Sequence, residues 1–207
     1  MNSLPMPFRL PLIAILRGIR PVEILEHVEA LVDEGYDAIE VPLNSPDWPD
    51  SIAAAVERFG DRARIGGGTV LRDGEVDALI GIGARFIVTP NTRPALIRYA
   101  TDRGLPVVPG VATASEAFAA IDAGATMLKV FPASVYGPGL VRALRAVLPP
   151  VPLLAVGGIA PAMISSYLGA GCEGFGIGSE LYRPGQAARV TRQHARSFRE
   201  AWTEACR

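Results

Sequence analysis

The feature of this sequence that most constrains its fold is a repeated unit, in which a short apolar run is followed by an amphipathic stretch that ends near a glycine. The first unit begins with the apolar run 12–16. Pro21 stands where a helix can begin without losing a hydrogen bond, and Gly35 stands where that helix can end. Apolar runs that alternate with helical patterns are typical of parallel strands joined by helices. The sequence therefore predicts an α/β protein.

The repeated unit occurs eight times. The predicted strands are 12–16, 38–43, 64–70, 86–91, 106–111, 127–131, 153–159 and 174–179. The predicted helices are 21–34, 48–59, 75–82, 93–102, 113–123, 138–148 and 161–168, with a last one at the C-terminus. Eight such units favour closure into a (β/α)8 TIM barrel. A doubly wound open sheet is the competing architecture, but no G-x-G-x-x-G motif follows the first strand.

The chain shows no linker, low-complexity segment or charge run that would separate two domains. We therefore predict one barrel domain over residues 1–207, with residues 1–11 as an N-terminal extension. The N-terminal residues also show no signal-peptide pattern, and no apolar run is long enough to cross a membrane.

Composition indicates small molecules as the ligands. The formal net charge is −1 and 49% of the residues are hydrophobic, which gives no electrostatic reason to expect nucleic acid or a membrane surface as partner. The two cysteines, Cys172 and Cys206, are too few for a disulfide framework and lack metal-ligand spacing. We expect free thiols and a cytoplasmic location.

Polar residues stand at or near the ends of several predicted strands, where barrels of this kind gather their functional groups. We expect them to face one mouth: Arg17, Glu40, Thr69, Thr89, Asn91 and Lys129. Lys129 is the most informative, because lysine is seldom fully buried without a partner. The alternative is a lysine at a strand end whose stem covers apolar surface while its ammonium reaches water.

These residue types suggest a specific chemistry. A lysine in a desolvated pocket beside another cation loses part of its preference for the charged form, so its amine can attack a carbonyl and form a Schiff base. Glu40 could move protons during that reaction, directly or through one water. Arg17 offers a planar fork suited to a carboxylate, and the alternative is a surface arginine at a strand end.

Glycine pairs follow the last two predicted strands. The segments 156–159 and 176–179 occupy the loops where many barrels bind phosphate through backbone N–H groups. A glycine pair alone is weak evidence, because glycine also permits tight turns. The glycines at 66–68 are ambiguous, since close backbone approach in the mouth would explain them without phosphate.

With these residues in place, the chain resembles the family of 2-keto-3-deoxy-6-phosphogluconate and 2-keto-3-deoxy-6-phosphogalactonate aldolases, class I enzymes on a (β/α)8 barrel. The likeness covers nearly the whole chain. It rests on the motifs I-L-R-G at 15–18, E-V-P-L-N-S at 40–45, G-G-G-T-V at 66–70, V-T-P-N at 88–91, P-G-V-A-T at 109–113, L-K-V-F-P-A at 128–133, V-G-G-I at 156–159 and G-I-G-S at 176–179. One departure is Gly67, where relatives usually carry alanine.

The resemblance implies a role for each residue at the reacting end of the substrate. Lys129 would form the Schiff base with pyruvate or the keto acid, and Glu40 would be the acid/base. The pyruvate moiety would be surrounded by Arg17, Thr69 and Pro90, with Phe131 packed beside the imine. The resemblance implies neither a metal nor another cofactor, and it suggests a homotrimer.

The resemblance also implies how the rest of the substrate is held. Its phosphate would bind Gly157, Gly158, Gly178 and Ser179. Gluconate-type members tend to carry threonine before the strand-seven glycine pair and galactonate-type members valine, which is Val156 here. The segments 42–48 and 178–183 also look like the galactonate branch. The implied reaction is cleavage of the phosphorylated sugar acid to pyruvate and glyceraldehyde 3-phosphate.

Three alternatives stay open at this point. The gluconate epimer could be the main substrate, since it shares every catalytic residue. A phosphosugar isomerase or epimerase would need a carboxylate pair or metal-binding histidines, which the strand ends lack. A non-catalytic phosphosugar-binding barrel would use Lys129 only to pair with Glu40.

Overall fold

The computed structural model describes residues 6–207 and contains eight parallel strands that close into a barrel in sequence order. The strands are β1 (Leu12–Ile15), β2 (Ala38–Pro42), β3 (Arg64–Gly68), β4 (Ile87–Thr89), β5 (Val107–Val111), β6 (Leu128–Val130), β7 (Leu153–Val156) and β8 (Gly174–Ile177). β1 pairs with both β2 and β8, which closes the sheet. The (β/α)8 barrel predicted from the sequence is confirmed.

Helices cover the outside of the barrel. They are α1 (Pro21–Asp33), α2 (Trp48–Phe59), α3 (Asp73–Gly81), α4 (Pro94–Thr101), α5 (Ala114–Asp122), α6 (Ala133–Arg145), α7 (Ile164–Leu168) and α8 (Ala188–Ala205). A short 3₁₀ turn, Pro161–Met163, leads into α7. Among residues 6–207, no helix combines the length and apolar character that a membrane span requires.

Two apolar layers fix which strand residues point into the barrel. One layer lies between the strands and the helices and contains Leu12, Ala14 and Ile39. The other fills the barrel interior and contains Ile13, Ala38 and Met127 among others. Because side chains alternate along a strand, the second layer continues to Glu40 on β2 and Lys129 on β6. The alternation therefore directs both charged side chains into the barrel.

The N-terminal end of the barrel is filled by aromatic packing. Phe8 is buried and its ring centroid lies 5.5 Å from that of Phe86. The backbone N–H groups of Arg9 and Leu10 donate to the Asp37 carboxylate, at 2.9 and 3.2 Å. Residues 1–5 of the predicted N-terminal extension lie outside the described residues, and the boundary at residue 11 stays a prediction.

The predicted helix at 138–148 begins where the main part of α6 begins, after the kink at Gly137, but its predicted end lies three residues too late. α6 begins at Ala133 and ends at Arg145. Its first turn is separated from the rest by Gly137, whose φ of 69° and ψ of 176° are not helical, and Pro138 follows. The Gly-Pro pair hid the first turn, because glycine and proline together normally mark a helix boundary.

Candidate active site

A cavity of about 540 Å³ opens at the carboxyl ends of the strands. Its lining contains all eleven residues that the sequence suggested for catalysis or substrate binding: Arg17, Glu40, Thr69, Pro90, Lys129, Phe131, Val156, Gly157, Gly158, Gly178 and Ser179. The structure thus brings the whole predicted set to one place. The individual roles of these residues stay predictions.

Lys129 and Glu40 are both buried in the wall of this cavity. Lys129 is 7% exposed and Glu40 is 3% exposed. The Glu40 side chain has room inside the barrel because the neighbouring strand β3 carries glycine at position 68. A methyl group at Gly68 would overlap the Glu40 carboxylate. No hydrogen bond or ion pair joins the two charged groups, and only their electrostatic fields couple them. A substrate atom or a water can therefore approach both groups.

Burial shifts the pKa of each group toward its neutral form. Desolvation lowers the pKa of the Lys129 amine, and the charge of Arg17 lowers it further, while Glu40 opposes the shift. Desolvation also raises the pKa of the Glu40 carboxyl, against the opposing charges of Lys129 and Arg17. A lowered amine pKa makes the free nucleophile available, and a raised carboxyl pKa gives a group that can both donate and accept a proton.

The remaining residues at this end provide a cation, a hydroxyl and an aromatic ring. Arg17 is held at the rim by a 2.8 Å hydrogen bond from its Nη1 to Asn44 Oδ1. Thr69 has a φ of 57°, a strained conformation for a β-branched residue. The ring centroid of Phe131 lies 4.9 Å from Lys129 Nζ. All three groups line the same cavity as the Lys129 amine.

The part of the cavity lining that follows β7 and β8 includes exposed backbone. Gly157 and Gly158 have φ values of 97° and 69°, which favour glycine. A side chain at Gly158 would also meet the Ser134 hydroxyl at 2.5 Å. Within residues 6–207, the N–H groups of Gly158 and Ser179 donate to no backbone or side-chain acceptor. Free backbone donors on two adjacent loops form a suitable site for an anion.

Two residues predicted to face the mouth do not line the cavity. Thr89 lies on the same face of β4 as Ile87, which packs against the helices, and its hydroxyl donates to the Asn91 carbonyl at 2.6 Å. Asn91 is exposed beyond the end of the strand. The prediction for this pair was wrong because Phe86 and Val88 point into the barrel, so the inward position after Val88 is Pro90 and not Thr89.

Six further residues line the cavity that sequence reasoning did not nominate: Ile15, Ile159, Glu180, Tyr182, Arg183 and Pro184. Four of them belong to the segment after β8. The segment 178–183 stood out in the sequence only as a family-like stretch. Arg183 in this segment stands five residues after a glycine at a strand end. A cation at that position was the one signal in the sequence that could have indicated a further residue of the site.

A closed barrel whose cavity holds a buried amine and carboxyl together with free backbone donors defines a site suited to carbonyl chemistry on an anionic ligand. Residues 8–192 match the family model described as KDPG and KHG aldolase. The chain belongs to this family of aldolases.

Some relatives are similar over nearly their whole length. The chain is 52% identical to 2-dehydro-3-deoxy-6-phosphogalactonate aldolase of Escherichia coli strain K12 over 198 residues, which covers 95% of this chain and 97% of that protein. A solved structure of native KDPGal superposes with a TM-score of 0.95 at 51% identity, over 100% of this chain and 99% of that one.

A more distant structure is KDPG aldolase of Legionella pneumophila with pyruvate captured at low pH as a covalent carbinolamine intermediate. It superposes with a TM-score of 0.78 at 26% identity, over 95% of this chain and 94% of that one. The barrel is therefore retained across relatives of very different sequence.

Proposed function

We propose that this protein is a class I aldolase that cleaves 2-dehydro-3-deoxy-6-phosphogalactonate, also called 2-keto-3-deoxy-6-phosphogalactonate, to pyruvate and glyceraldehyde 3-phosphate. The observation that carries the proposal is the buried Lys129 amine, which faces the cavity beside Glu40 without pairing with it. The similarity to the E. coli enzyme supports the choice of substrate. Pyruvate bound covalently in the Legionella relative supports a covalent route.

The first stage of the proposed reaction forms an imine. The neutral amine of Lys129 attacks the C2 carbonyl of the substrate to give a carbinolamine. Loss of water, with Glu40 supplying the proton to the departing hydroxyl, leaves a protonated imine. Arg17 holds the adjacent carboxylate at the rim. The cationic imine is an electron sink that performs the role a metal ion has in the other aldolase class.

The second stage breaks the carbon–carbon bond. Glu40, now ionised, accepts the proton of the C4 hydroxyl while the C3–C4 electrons flow to the imine nitrogen. Glyceraldehyde 3-phosphate leaves, and the enamine of pyruvate stays on Lys129. Protonation at C3 and hydrolysis release pyruvate and restore the amine. The phosphate, bound at the glycine loops, contributes binding energy that orients the reacting end.

The direct test is an assay of the purified protein with the phosphorylated galactonate substrate, in which released pyruvate is reduced by lactate dehydrogenase and NADH. We expect steady pyruvate release that requires the phosphorylated substrate. A folded protein that binds the substrate but releases no pyruvate would instead be a phosphosugar-binding barrel.

The pH dependence of the reaction should reflect the coupled amine and carboxyl. The competent free enzyme holds one proton shared between Glu40 and Lys129. Acid adds a second proton near the raised pKa of Glu40, above 4.5, and alkali removes the shared proton near the lowered pKa of Lys129, below 10.5. We expect a bell-shaped profile of kcat/KM with both limbs inside that interval. Limbs at the unperturbed values would contradict this assignment.

The gluconate epimer is the second candidate substrate, because it differs only in configuration at C4. Val156 is buried in the cavity wall and directly precedes the glycine pair. We expect Val156→Thr, which replaces a methyl by a hydroxyl of similar size, to shift the ratio of kcat/KM toward the gluconate epimer by roughly 1–3 kcal/mol, or about 5- to 150-fold. An unchanged ratio for the two epimers in the same preparation would contradict this role.

We also propose that the protein is a homotrimer, as the resemblance suggests. Large apolar side chains lie exposed after β6, with Val135 74% and Tyr136 46% exposed. A neighbouring copy would cover such a patch. Light scattering after size exclusion should give three times the mass of the chain, whereas the mass of one chain would contradict the proposal.

A cytoplasmic location is the setting we propose for this reaction. Cys172 is buried and Cys206 is exposed, and both are free thiols. Exposed free thiols persist in a reducing compartment.

A further inference from the structure

The charges that line the cavity are unevenly distributed. Its cations are Arg17, Lys129 and Arg183. Arg17 donates to Asn44, and Lys129 interacts electrostatically with Glu40, so both belong to the reacting end. Arg183 is the cation left for the end formed by the glycine loops. A phosphate with close to two negative charges would otherwise meet only neutral donors there, the backbone N–H groups and the Ser179 hydroxyl.

Arg183 is held beside these loops by its local structure. The N–H groups of Leu181 and Tyr182 both donate to the Gly178 carbonyl, at 2.8 and 3.0 Å, which forms a turn after β8. Leu181 and Tyr182 are buried and anchor this turn, while Arg183 stays exposed. Arg183 Nε donates to the Ser179 carbonyl at 3.0 Å. The guanidinium group is therefore fixed next to Ser179, one residue after Gly178.

The existing ion pair of Arg183 is weak. Its Nη2 lies 3.5 Å from Glu180 Oε1, and the two side chains are 69% and 45% exposed. Exposed pairs of this kind contribute little stability. The two terminal nitrogens of an arginine fit two oxygens of a phosphate, and a phosphate carries more charge than one carboxylate. A phosphate at the glycine loops can therefore displace Glu180 from Arg183.

We propose that Arg183 is the charged ligand of the substrate phosphate and that Glu180 is its counter-ion in the empty enzyme, an inference that rests on the proposed aldolase function. The phosphate competes with Glu180 for the guanidinium group. Arg183 then strengthens binding, and Glu180 weakens it. The two neighbours thus have effects of opposite sign on the same ligand.

The first experiment compares Arg183→Gln and Arg183→Lys with the unchanged protein. We expect Arg183→Gln to raise KM for the phosphorylated substrate about 10- to 100-fold, the effect of losing one charged hydrogen bond. Arg183→Lys keeps the charge and should recover part of that loss. Borohydride trapping of pyruvate, which has no phosphate, should be unchanged in both variants.

The matched control is Arg103→Gln, which breaks another exposed ion pair, 3.6 Å from Asp77, on a side chain that does not line the cavity. Its KM should equal that of the unchanged protein. If Arg183→Gln also leaves KM unchanged, or if it lowers pyruvate trapping as much as cleavage, the role proposed for Arg183 is wrong.

The second experiment uses Glu180→Gln and inorganic phosphate as the probe. Calorimetric titration should show phosphate binding a few-fold more tightly to Glu180→Gln and about 10- to 100-fold more weakly to Arg183→Gln. Equal binding by all three proteins would overturn the proposal. This titration requires no turnover, so it tests the role of Arg183 independently of catalysis. The aldolase function itself would be overturned by a different result, in which the protein neither cleaves the substrate nor traps pyruvate.

Discussion

Lys129→Ala is expected to abolish cleavage, because it removes the amine that forms the imine. Without covalent activation, little of the acceleration of at least about 10⁶-fold that is typical of enzymes should remain. The measurement is intact-protein mass spectrometry after borohydride reduction with pyruvate. Lys129 is the only lysine in the 207 residues, so a pyruvate adduct on a lysine can form at one place only.

The control for this prediction is the fold of the variant. Lys129→Met fills nearly the same volume without a charge, and we expect both variants to keep the circular dichroism spectrum of the unchanged protein. An adduct on the unchanged protein and none on the folded variants would establish Lys129 as the nucleophile. Retained cleavage in either variant, or an adduct confined to the N-terminal amine, would rule out the imine mechanism.

Glu40→Gln is expected to lower kcat by about 10²- to 10⁴-fold, the usual contribution of a general acid/base. The amide has nearly the same shape, so it fits beside Gly68, but it cannot take the proton of the C4 hydroxyl. The measurement is single-turnover cleavage followed by rapid chemical quench. Pyruvate should still be trapped on Lys129, although more slowly, because dehydration of the carbinolamine also uses Glu40.

Glu200→Gln is the control for this loss, since Glu200 is exposed on α8 and does not line the cavity. Its kcat should match that of the unchanged protein. A Glu40→Gln enzyme with kcat within a few-fold of normal would mean that a water or another group moves the proton.

The starts of the strands could be read from the sequence, but several of their ends could not. The apolar runs identified β3, β7 and β8, yet each strand ends two or more residues before the predicted end. For β3 and β7 the reason lies in the backbone. Thr69, Gly157 and Gly158 adopt positive φ values, which a hydrophobic pattern does not reveal. These are also the residues that turn from the barrel wall toward the cavity.

The candidate site was easier to predict than the strand ends because its residues have unusual chemistry for their positions. A lysine and a glutamate inside apolar strands can be recognised without coordinates. Thr89 shows the limit of that reasoning. A shift of one residue in a strand sends a side chain to the opposite face, and the continuous apolar run of β4 did not reveal which of its positions point inward.

The groups that line the cavity come from different parts of the barrel. Lys129 and Glu40 lie on β6 and β2, whereas the glycine loops and Arg183 follow β7 and β8. In the proposed reaction, residues on β2 and β6 therefore bind the pyruvate that becomes the nucleophilic enamine. Residues after β7 and β8 select the aldehyde that reacts with it. Substitutions after β7 and β8 should broaden the range of aldehyde acceptors in the synthetic direction while pyruvate stays the donor.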